Sequence, residues 1–464
     1  MNKKNILYLL LFIQLFFFIS CKKEKFNSSN NLQFSIDTLV FDTVFTTIGS
    51  TTQHFKVFNP DKKGVKIDEI ELMGGSTSPF RINVDGVKGL LHQNLELEGE
   101  DSLYVFVEVK LQVNGQNLPM IVEDSIRFKT NGKNQYIKLA VWGQDAYFHY
   151  NEILSPQTND TTWSADKPHV IYNYCAIDSA KTLHIAAGSN IHLHKNSMLY
   201  VYKGSLHVEG NKDQIVTFQG DRLEEFYDDV SGQWYGIYFH QAKSSTIQYA
   251  LIKNGTAGIH LYGADSNNST FTLHIQNTII EKHASYGVFM FDGASVKMDN
   301  SIISNCGTYG FFLLKRGDFD INHCHILGYE NNTSQSYAFA IKNHFVENQT
   351  NFVGDITLGK VYNTVIYGYE EDEIAFDTLN PEAQLELNFD FSYCVIKKKE
   401  SSTSPLFNQI YWNNNPEFND VENRDFTFLN TSILQQKGIQ TTLDIDLLGN
   451  PRNNPPDIGA YELE

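Results

Sequence analysis

Alternating hydrophobic and polar residues dominate the chain from residue 34 to residue 150. About seven short runs follow this pattern, among them FSIDTLVF, LYVFVEVKL and YIKLAVWG. Segments rich in Gly, Pro, Asn and Asp, such as NPDKKG and TNGKN, separate the runs. Period-two alternation between closely spaced turns is typical of antiparallel strands that bury one face. The sequence therefore predicts a β-sandwich over residues 34–150.

A repeat fills residues 180–400. The segments IQNTIIEKHASYGVFMF and VKMDNSIISNCGTYGFFLL can be laid over each other, and insertions lengthen other repeats. Ile280, Ile303 and Ile326 follow one another at intervals of 23 residues. Several short strands in a period of this length indicate a parallel β-helix, in which each coil lies about 4.8 Å above the last. The equivalent positions are Ile252, Ile280, Ile303, Ile326, Ile366 and Ile396.

The second strand of each repeat predicts an aromatic surface. Successive side chains of a strand point to opposite faces, so Val288 and Met290 point inward while Phe289 and Phe291 point outward. An outward face with this many rings needs a cover or a ligand. The cover would be the sandwich or an inserted loop, and the ligand would be a sugar polymer or the apolar side chains of a partner. The candidate binding residues are Tyr238, His260, Tyr262, Phe289, Phe291 and Phe312.

A second outward row lies on the first strand of each repeat and is also largely apolar. We expect this row to be covered as well. Both rows therefore predict contacts with another part of the chain or with a partner. The members of the second row are Leu251, Ile279, Ile302, His325, Val365 and Val395.

Three cysteines fall at regular positions of the repeat. Cys324 and Cys394 belong to a column of small residues, with Thr364 between them. Two coil steps separate the two thiols by roughly 9–10 Å, which is too far for a disulfide. Cys306 lies in a turn, and Cys175 precedes the repeats without an assigned role. We interpret the three repeat thiols as structural.

One column of the repeat is polar. Its first three members could form an acid/base group, but alternating Lys and Asp also satisfy charge pairing across strands without catalysis. The members are His274, Lys297, Asp320, Lys360 and Asp390.

Two further clusters have the residue types of metal sites. Carboxylates between residues 221 and 228 would suit Ca²⁺, and His192 and His194 share one strand face. A solvated acidic loop and exposed histidines explain the same patterns, and the histidines lack a third ligand. The sequence therefore predicts no catalytic residue, no metal site and no cofactor.

The first 21 residues are typical of a targeting segment. Lys3 and Lys4 precede the apolar run ILYLLLFIQLFFFIS, and Cys21 follows it. FISC resembles the lipobox of bacterial lipoproteins. The resemblance implies a signal peptide at residues 1–21, lipidation of Cys21 and a place in the cell envelope as an outer-membrane lipoprotein. An ordinary signal peptide with a chance cysteine is the alternative, and residues 22–33 are expected to be a flexible tether.

The two large segments resemble known architectures of bacterial proteins. Residues 34–150 resemble the immunoglobulin-like modules of surface proteins from Bacteroidetes-type bacteria, and residues 180–400 resemble right-handed parallel β-helix proteins. Residues 151–179 are expected to be a linker. Residues 401–464, which contain PPDIGAYE, resemble the closing segment of such a β-helix. The predicted fold class is all-β, an immunoglobulin-like β-sandwich followed by a right-handed parallel β-helix.

The formal net charge of −18 argues against nucleic acid as a partner. The expected partners are a membrane, through the lipid anchor, and a polysaccharide or a protein. The sequence lacks the motifs of pectin hydrolases and pectate lyases. It predicts a lipid-anchored envelope protein with a binding or structural role, in contact with a glycan or protein along the β-helix flank. The alternative is a carbohydrate-active lyase or hydrolase of an unrecognised type.

Overall fold

The computed structural model of the protein divides the chain into two compact units, Met1–Asp145 and Ala146–Glu464. The predicted signal peptide at residues 1–21, the lipidation residue Cys21 and part of the tether lie outside the described residues. No helix in the described part of the chain has the length and apolar character needed to cross a membrane. The structure describes residues 26, 28–46, 49–112, 120–155, 157, 161–263, 270–330, 336–381 and 384–463.

The first unit is the predicted β-sandwich. Its two five-stranded sheets have the orders β1-β3-β8-β5-β6 and β2-β10-β9-β4-β7. The pairs are antiparallel except for β2 and β10, which run parallel. One apolar face of each sheet is buried, and alternate residues of β8 are buried and exposed, as the alternation predicts. The strands are β1 Gln33–Phe34, β2 Thr38–Phe45, β3 Gln53–Phe58, β4 Val65–Leu72, β5 Phe80–Val84, β6 Val87–Lys88, β7 Leu91–Leu97, β8 Ser102–Val109, β9 Met120–Thr130 and β10 Lys133–Gln144, with a 3₁₀ turn at Gly75–Thr77.

The second unit contains long parallel sheets, and most of its coils contribute three strands. The eighteen-stranded and ten-stranded sheets pair each strand with its equivalents on neighbouring coils. The strands are β11 Tyr147–Leu154, β12 Thr161–Trp163, β13 His169–Ile177, β14 Thr182–Ala186, β15 Asn190–Leu193, β16 Met198–Tyr202, β17 Ser205–Glu209, β18 Val216–Gly220, β19 Gly236–His240, β20 Ser245–Gln248, β21 Ala250–Lys253, β22 Ala257–Tyr262, β23 Leu273–Gln276, β24 Ile279–His283, β25 Tyr286–Phe291, β26 Ala294–Asp299, β27 Ile302–Cys306, β28 Tyr309–Leu314, β29 Gly317–Asn322, β30 His325–Gly328, β31 Tyr337–Lys342, β32 His344–Glu347, β33 Thr350–Val353, β34 Ile356–Tyr362, β35 Val365–Gly368, β36 Ile374–Asp377, β37 Leu387–Ser392, β38 Val395–Ile396, β39 Phe407–Asn408, β40 Tyr411–Trp412, β41 Phe418–Asp420 and β42 Asp425–Phe428, with a 3₁₀ turn at Glu225–Tyr227.

The register of this coil confirms the predicted parallel β-helix. Ile280, Ile303 and Ile326 are direct partners on successive coils and are fully buried. Ile252, Ile366 and Ile396 extend the same stack. The core of the coil is therefore a set of residue columns, each built from one position of the repeat.

The coil begins earlier than the 23-residue repeat. The two compact units divide after Asp145, five residues before the predicted end of the sandwich. Residues 151–179, predicted as a linker, hold the end of β11 together with β12 and β13, which pair in parallel with later coils. Asn151, Asn173 and Asn196 recur here at steps of 22 and 23 residues, with the left-handed backbone of the later corners, so the period extends into these coils and the sequence analysis missed it.

One corner of each coil is made by a residue with a left-handed backbone. Asn277, Asn300 and Asn363 have φ values of 48°, 46° and 49°, a region that Asn adopts more readily than most residues. The next residue is the small column predicted from the sequence. Its hydroxyls link neighbouring coils, since the Thr278 N–H donates to Ser301 Oγ at 3.1 Å. The corner is therefore hydrogen-bonded as well as tightly turned.

The cysteines of the small column fit this role. Cys324 and Cys394 each donate their thiol to the carbonyl oxygen two residues earlier, at a sulfur–oxygen distance of 3.2 Å. Both thiols are buried and unpaired, as are Cys306 and Cys175. The structure agrees with a structural role for the three repeat thiols.

The second outward row is covered by the C-terminal part of the same chain over most of its length, and Leu251 at its start lies outside the covered cluster. Ile302, Val365 and Val395 are at most 1% exposed and belong to a separate apolar cluster on the flank of the coil. The covering residues of the cluster include Phe426, Phe428, Leu434, Leu447, Ile458 and Ala460. The expected cover is therefore intramolecular, and the closing segment lies along the coil.

The motif PPDIGAYE explains how the segment attaches. Ile458 is fully buried against the flank, and Tyr461 meets the ring of His325 edge-on at 5.6 Å. Gly459 has φ +108°, and a Cβ at this position would run into the His325 ring. Glu462 forms an ion pair with Arg452 at 3.2 Å, and both side chains are only 1% exposed. Residues 455–462, which we call the latch, therefore hold the closing segment against the coil.

The asparagine corner receives the same segment. Arg452 Nη2 donates to Asn300 Oδ1 at 2.7 Å and to the Gly459 carbonyl at 3.1 Å. Asn300 also donates to the Ile445 carbonyl, and the Ile439 N–H donates to Asn363 Oδ1. The side chains that turn the coil thus also bind its cover.

Candidate functional site

The outward rings predicted from the sequence form a continuous column. Tyr238, His260, Phe289 and Phe312 are register partners on four successive coils. Their ring centroids are 4.4, 4.8 and 5.5 Å apart in that order. Rings at these separations overlap as offset stacks. Part of each ring stays open, because all four side chains are only half-buried.

A second column lies two residues further along each strand. His240 and Tyr262 are tilted by 38° at a centroid distance of 5.0 Å, Tyr262 and Phe291 stack at 5.3 Å, and Leu314 follows on the next coil. The structure thus brings all six predicted binding residues onto one face of the coil. We refer to the two columns, together with the tyrosines described next, as the aromatic strip.

Further tyrosines widen and lengthen the strip, and the sequence analysis missed them. Tyr286 and Tyr309 stack at 6.0 Å and lie against Phe289 and Phe312. The signal for them is the Tyr-Gly pair at 235–236, 286–287 and 309–310, where the tyrosine precedes the glycine that opens the strand. The added residues are Tyr200, Tyr202, Tyr235, Tyr286, Tyr309 and Tyr337.

The strip has defined ends. Ala176 is the register partner of Tyr200 at one end, and Ala340 is the partner of Phe312 at the other. The first column, extended by Tyr200, has five rings from Tyr200 to Phe312. Its four coil steps give a length of about 19 Å. At the Ala340 end, Phe345 of the β32–β33 hairpin packs edge-on against Phe291 at 5.6 Å. An inserted loop therefore covers one end of the strip. It is one of the two covers that the sequence analysis considered, the other being the sandwich.

A shallow groove of about 320 Å³ lies along the strip. Its lining is aromatic and aliphatic, and none of the described lining residues carries a carboxyl group or a basic chain other than a histidine. A ligand for this groove presents apolar surface and has an extended shape. The lining residues are Tyr238, His260, Tyr262, Phe289, Phe291 and Leu314.

The polar atoms of the strip are neutral groups. The Tyr235 hydroxyl lies 2.9 Å from His260 Nδ1, and the Tyr200 hydroxyl lies 2.6 Å from His240 Nδ1. Burial lowers the pKa of His260 to about 4 and raises the pKa of Tyr238 to about 12. The groove therefore has no formal charge at neutral pH, and hydroxyl and imidazole groups lie beside its rings.

The polar column does not form an acid/base group with the strip. Its register is as predicted, with His274, Lys297 and Asp320 on successive coils. His274 Nε2 and Lys297 Nζ both bind Asp299 Oδ2, at 2.8 and 3.4 Å. The sequence analysis missed Asp299, a buried residue at the adjacent corner. Asp299 thus forms an ion pair with Lys297 and a hydrogen bond with His274.

The two candidate metal clusters are also dispersed. His192 is buried and contacts the Gly220 carbonyl, whereas His194 pairs with Asp221 at 2.7 Å. The expectation that both histidines are exposed is wrong for His192, because its strand lies against β18. Glu224 pairs with Arg222, and Asp228 pairs with Lys253. Asp221, Glu224 and Asp228 therefore contact three different basic side chains instead of converging on one site.

A larger groove, of about 620 Å³, lies in the sandwich. It is lined by both charges and apolar groups, among them Arg81, Lys88, Glu108 and Phe106. Arg81 is already bound to the carbonyls of Ser78 and Phe80. Most of its lining residues fall between residues 76 and 90. No motif in this part of the sequence indicates a groove. This groove offers a second surface for comparison with the strip.

Buried histidines make the stability of the coil depend on pH. Burial lowers the pKa of His192, His260 and His283 to about 4 and that of His325 to about 3. His283 illustrates the cost of protonating a buried ring. Its Nδ1 accepts from the Gly255 N–H, and its Nε2 lies 3.1 Å from the Ile252 carbonyl oxygen. A protonated ring would lose the first of these bonds.

We expect the coil to lose stability as the pH falls from 6.5 to 5. In this window the unfolded chain takes up protons that the folded histidines do not, so unfolding becomes easier. Glu373 acts in the opposite sense, because burial raises its pKa to about 8 and its contribution is lost as the pH rises through 8. Melting temperatures by calorimetry at pH 5, 6, 7 and 9 should therefore peak near neutrality. A melting temperature that rises toward pH 5 would contradict this expectation.

Comparison with known proteins gives no family for the chain. No protein-family profile and no curated protein match it. Among solved structures, it is similar to a family 123 glycoside hydrolase from Clostridium perfringens at 10% identity and a TM-score of 0.18, over 25% of this chain and 26% of that one. It is also similar to PapD-like domain 7 of human CEP192 at 10% identity and a TM-score of 0.17, over 25% of this chain and 84% of that one. The chain thus spans about a quarter of the hydrolase, and its function has to be argued from the aromatic strip.

Proposed function

We propose that the protein binds a neutral polysaccharide along the aromatic strip. The observation that carries the proposal is the uncharged ladder of rings, half-buried over five coils and bordered by tyrosine hydroxyls. Sugar rings combine apolar faces with hydroxyl groups, so they match ring surfaces that have polar neighbours. A length of about 19 Å suits a chain of several sugars better than a single one.

The charge distribution favours a neutral ligand over an acidic one. The net charge of the chain is −18, which repels polyanions at long range. The groove itself offers no described cationic side chain to a carboxylate or sulfate group. A protein partner with an apolar strand is the second candidate for the same surface, since the half-buried rings would accept its side chains.

Binding is favoured over catalysis by what the groove contains. Hydrolysis of a glycosidic bond normally uses two carboxyl groups on either side of the bond. None of the described residues that line the groove is Asp or Glu. A carbohydrate-active enzyme would therefore need a site elsewhere on the chain, and the proposed role is retention of the polymer.

The proposed location is the cell envelope. The lipobox-like FISC and the apolar run before it support a lipid anchor at Cys21, with the immunoglobulin-like sandwich as a spacer between the anchor and the coil. Mass spectrometry of the intact protein from a bacterial host would test this, since acylation at Cys21 adds a fixed mass and Cys21→Ser abolishes it.

We expect the double variant Phe289→Ala/Phe312→Ala to lose neutral-glycan affinity by roughly tenfold or more. The two rings are consecutive partners at the middle of the ladder, 5.5 Å apart, so their loss opens a gap of two coils. Affinity electrophoresis or calorimetry against neutral glucans, mannans and xylans, with pectin and alginate as anionic comparisons, measures the change.

The matched control is Tyr104→Ala/Phe106→Ala in the sandwich. These two rings are also stacked, at 5.9 Å, and are 37% and 36% exposed. The control should bind as the unchanged protein does. If the sandwich variant loses binding and the strip variant keeps it, the site is the sandwich groove and the proposal is wrong. New reducing ends or unsaturated products in the same assays would support the enzyme alternative.

A further inference from the structure

The first coil carries a stack of three rings at its edge. The rings of His149 and His169 both pack on Trp163, with centroid distances of 4.3 and 4.6 Å and nearly parallel planes, and they lie 5.3 Å from each other. All three residues are at most 8% exposed. Terminal coils of a solenoid need a closing layer that differs from the repeat. This stack provides such a layer and fixes the two imidazoles in place.

Hydrogen bonds determine which histidine nitrogen is free. His169 Nε2 lies 3.0 Å from the Ser164 carbonyl, and His169 Nδ1 lies 3.0 Å from His149 Nε2. A carbonyl oxygen only accepts, so His169 donates from Nε2 and a neutral ring then accepts at Nδ1. His149 therefore donates from Nε2. In a neutral ring this leaves His149 Nδ1 with a lone pair and no proton.

That lone pair points into a cluster of metal-ligating groups. His149 Nδ1 is in hydrogen-bond contact with the Glu152 carboxylate, which also has no proton to donate. Cys175 is the register partner of Glu152 on the next coil, and its thiol completes the group. The three ligand atoms lie within 4.8 Å of one another. Two acceptors in contact need a proton or a cation between them.

We propose that His149, Glu152 and Cys175 bind a divalent transition metal of the zinc type. Imidazole nitrogen, carboxylate oxygen and thiolate sulfur are the ligands that Zn²⁺ takes in proteins. The hydrogen bonds from His149 through His169 to the Ser164 carbonyl are the second shell that orients a ligating histidine. The charges balance, because one carboxylate and one thiolate neutralise a divalent cation.

The geometry requires only a small rearrangement. Zinc bonds of about 2.0–2.3 Å place tetrahedral ligand atoms roughly 3.5 Å apart. His149 Nδ1 and the Glu152 carboxylate are closer than that and have to separate to admit the metal, whereas the thiol sulfur lies within 4.8 Å of both. Glu152 is half-exposed, with its side chain 39% accessible, and gives the metal a route from solvent. Cys175 is fully buried behind it. The metal would tie β11 to β13 and so secure the first coil.

The test uses the purified full chain without a polyhistidine tag, stripped with chelator and titrated with Zn²⁺ and Co²⁺. We expect one metal ion per chain and a sulfur-to-cobalt absorption band in the near ultraviolet. Cys175→Ser should remove that band. Glu152→Gln should weaken zinc binding at least about tenfold and remove the rise in melting temperature that zinc gives the unchanged chain. Circular dichroism without metal checks that each variant is folded.

The matched control is Cys306→Ser, which alters another buried thiol in a later coil. It should keep both the metal ion and the cobalt band. If the unchanged chain binds no zinc at micromolar concentration, or if the Glu152→Gln chain binds as the unchanged chain does, the metal site is wrong. The group is then an imidazolium–carboxylate ion pair beside a structural thiol.

Discussion

Replacing Arg452 by alanine is expected to lower the stability of the coil by about 3–5 kcal/mol and to release the C-terminal segment. The guanidinium is 1% exposed and binds Glu462, Asn300 and the Gly459 carbonyl. Removal of one partner leaves the other charge buried without compensation, and this costs more than the ion pair itself contributes. Thermal unfolding and limited proteolysis, with fragments identified by mass spectrometry, measure the two effects.

Lys399→Ala is the control for this prediction. Lys399 also forms an ion pair, with Glu371 at 2.6 Å, but the two side chains are 63% and 74% exposed. Exposed pairs contribute little to stability, so the control should melt and digest like the unchanged protein. If Arg452→Ala behaves like Lys399→Ala, the latch does not hold the cover in place.

Replacing Phe311 by alanine is expected to destabilise the coil by about 3–5 kcal/mol, whereas the same change at Phe312 should cost about 1 kcal/mol. The two residues are neighbours in β28 and point to opposite faces. Phe311 is fully buried and stacks on Phe339 at 5.0 Å, so its removal leaves a cavity among packed columns. Phe312 is half-buried in the aromatic strip. Denaturant or thermal melts of both variants give the comparison.

This pair tests the register of the whole repeat. A shift of one residue would exchange the inward and outward faces of every strand. Equal losses at the two positions, or a larger loss at Phe312, would contradict the assignment of faces. If the proposed glycan binding is correct, the binding assay is expected to give the opposite ranking, because Phe312 lies in the aromatic strip and Phe311 does not.

The repeat was predictable because equivalent positions of successive coils carry the same type of residue. The 23-residue step from Ile280 to Ile303 fixes both the period and the inward face, and the alternation of β25 and β28 then gives the outward rings. The tyrosines before Gly287 and Gly310 were missed because they lie where the turn was expected to end. The local sequence pattern therefore reveals the two ring columns of the aromatic strip but not the tyrosines that widen it.

The cover on the second outward row could not be assigned from the sequence. Residues 401–464 have no repeat, and their contacts with the coil span large sequence distances, 152 positions for Arg452 and Asn300. The row itself was evident, but the identity of its cover depends on tertiary packing. The start of the coil was missed for a different reason, since the repeat was anchored on the isoleucines of later coils and its period was not extended backward.

One signal in the first coil was available and unused. Glu152 and Cys175 are 23 residues apart, the same step that separates Ile280 from Ile303. Extending the period backward places these two residues on adjacent coils, as the structure does. His149 joins them because β11 precedes the repeat proper and contributes side chains that close its end.

The position of the cover has a consequence for biosynthesis. Translation completes the coils that carry Ile302, Val365 and Val395 before it reaches Leu434 and Ile458, which cover them. A nascent chain therefore exposes an apolar flank for as long as the ribosome takes to add those later residues. During that interval the exposed flank is a surface on which neighbouring molecules can aggregate.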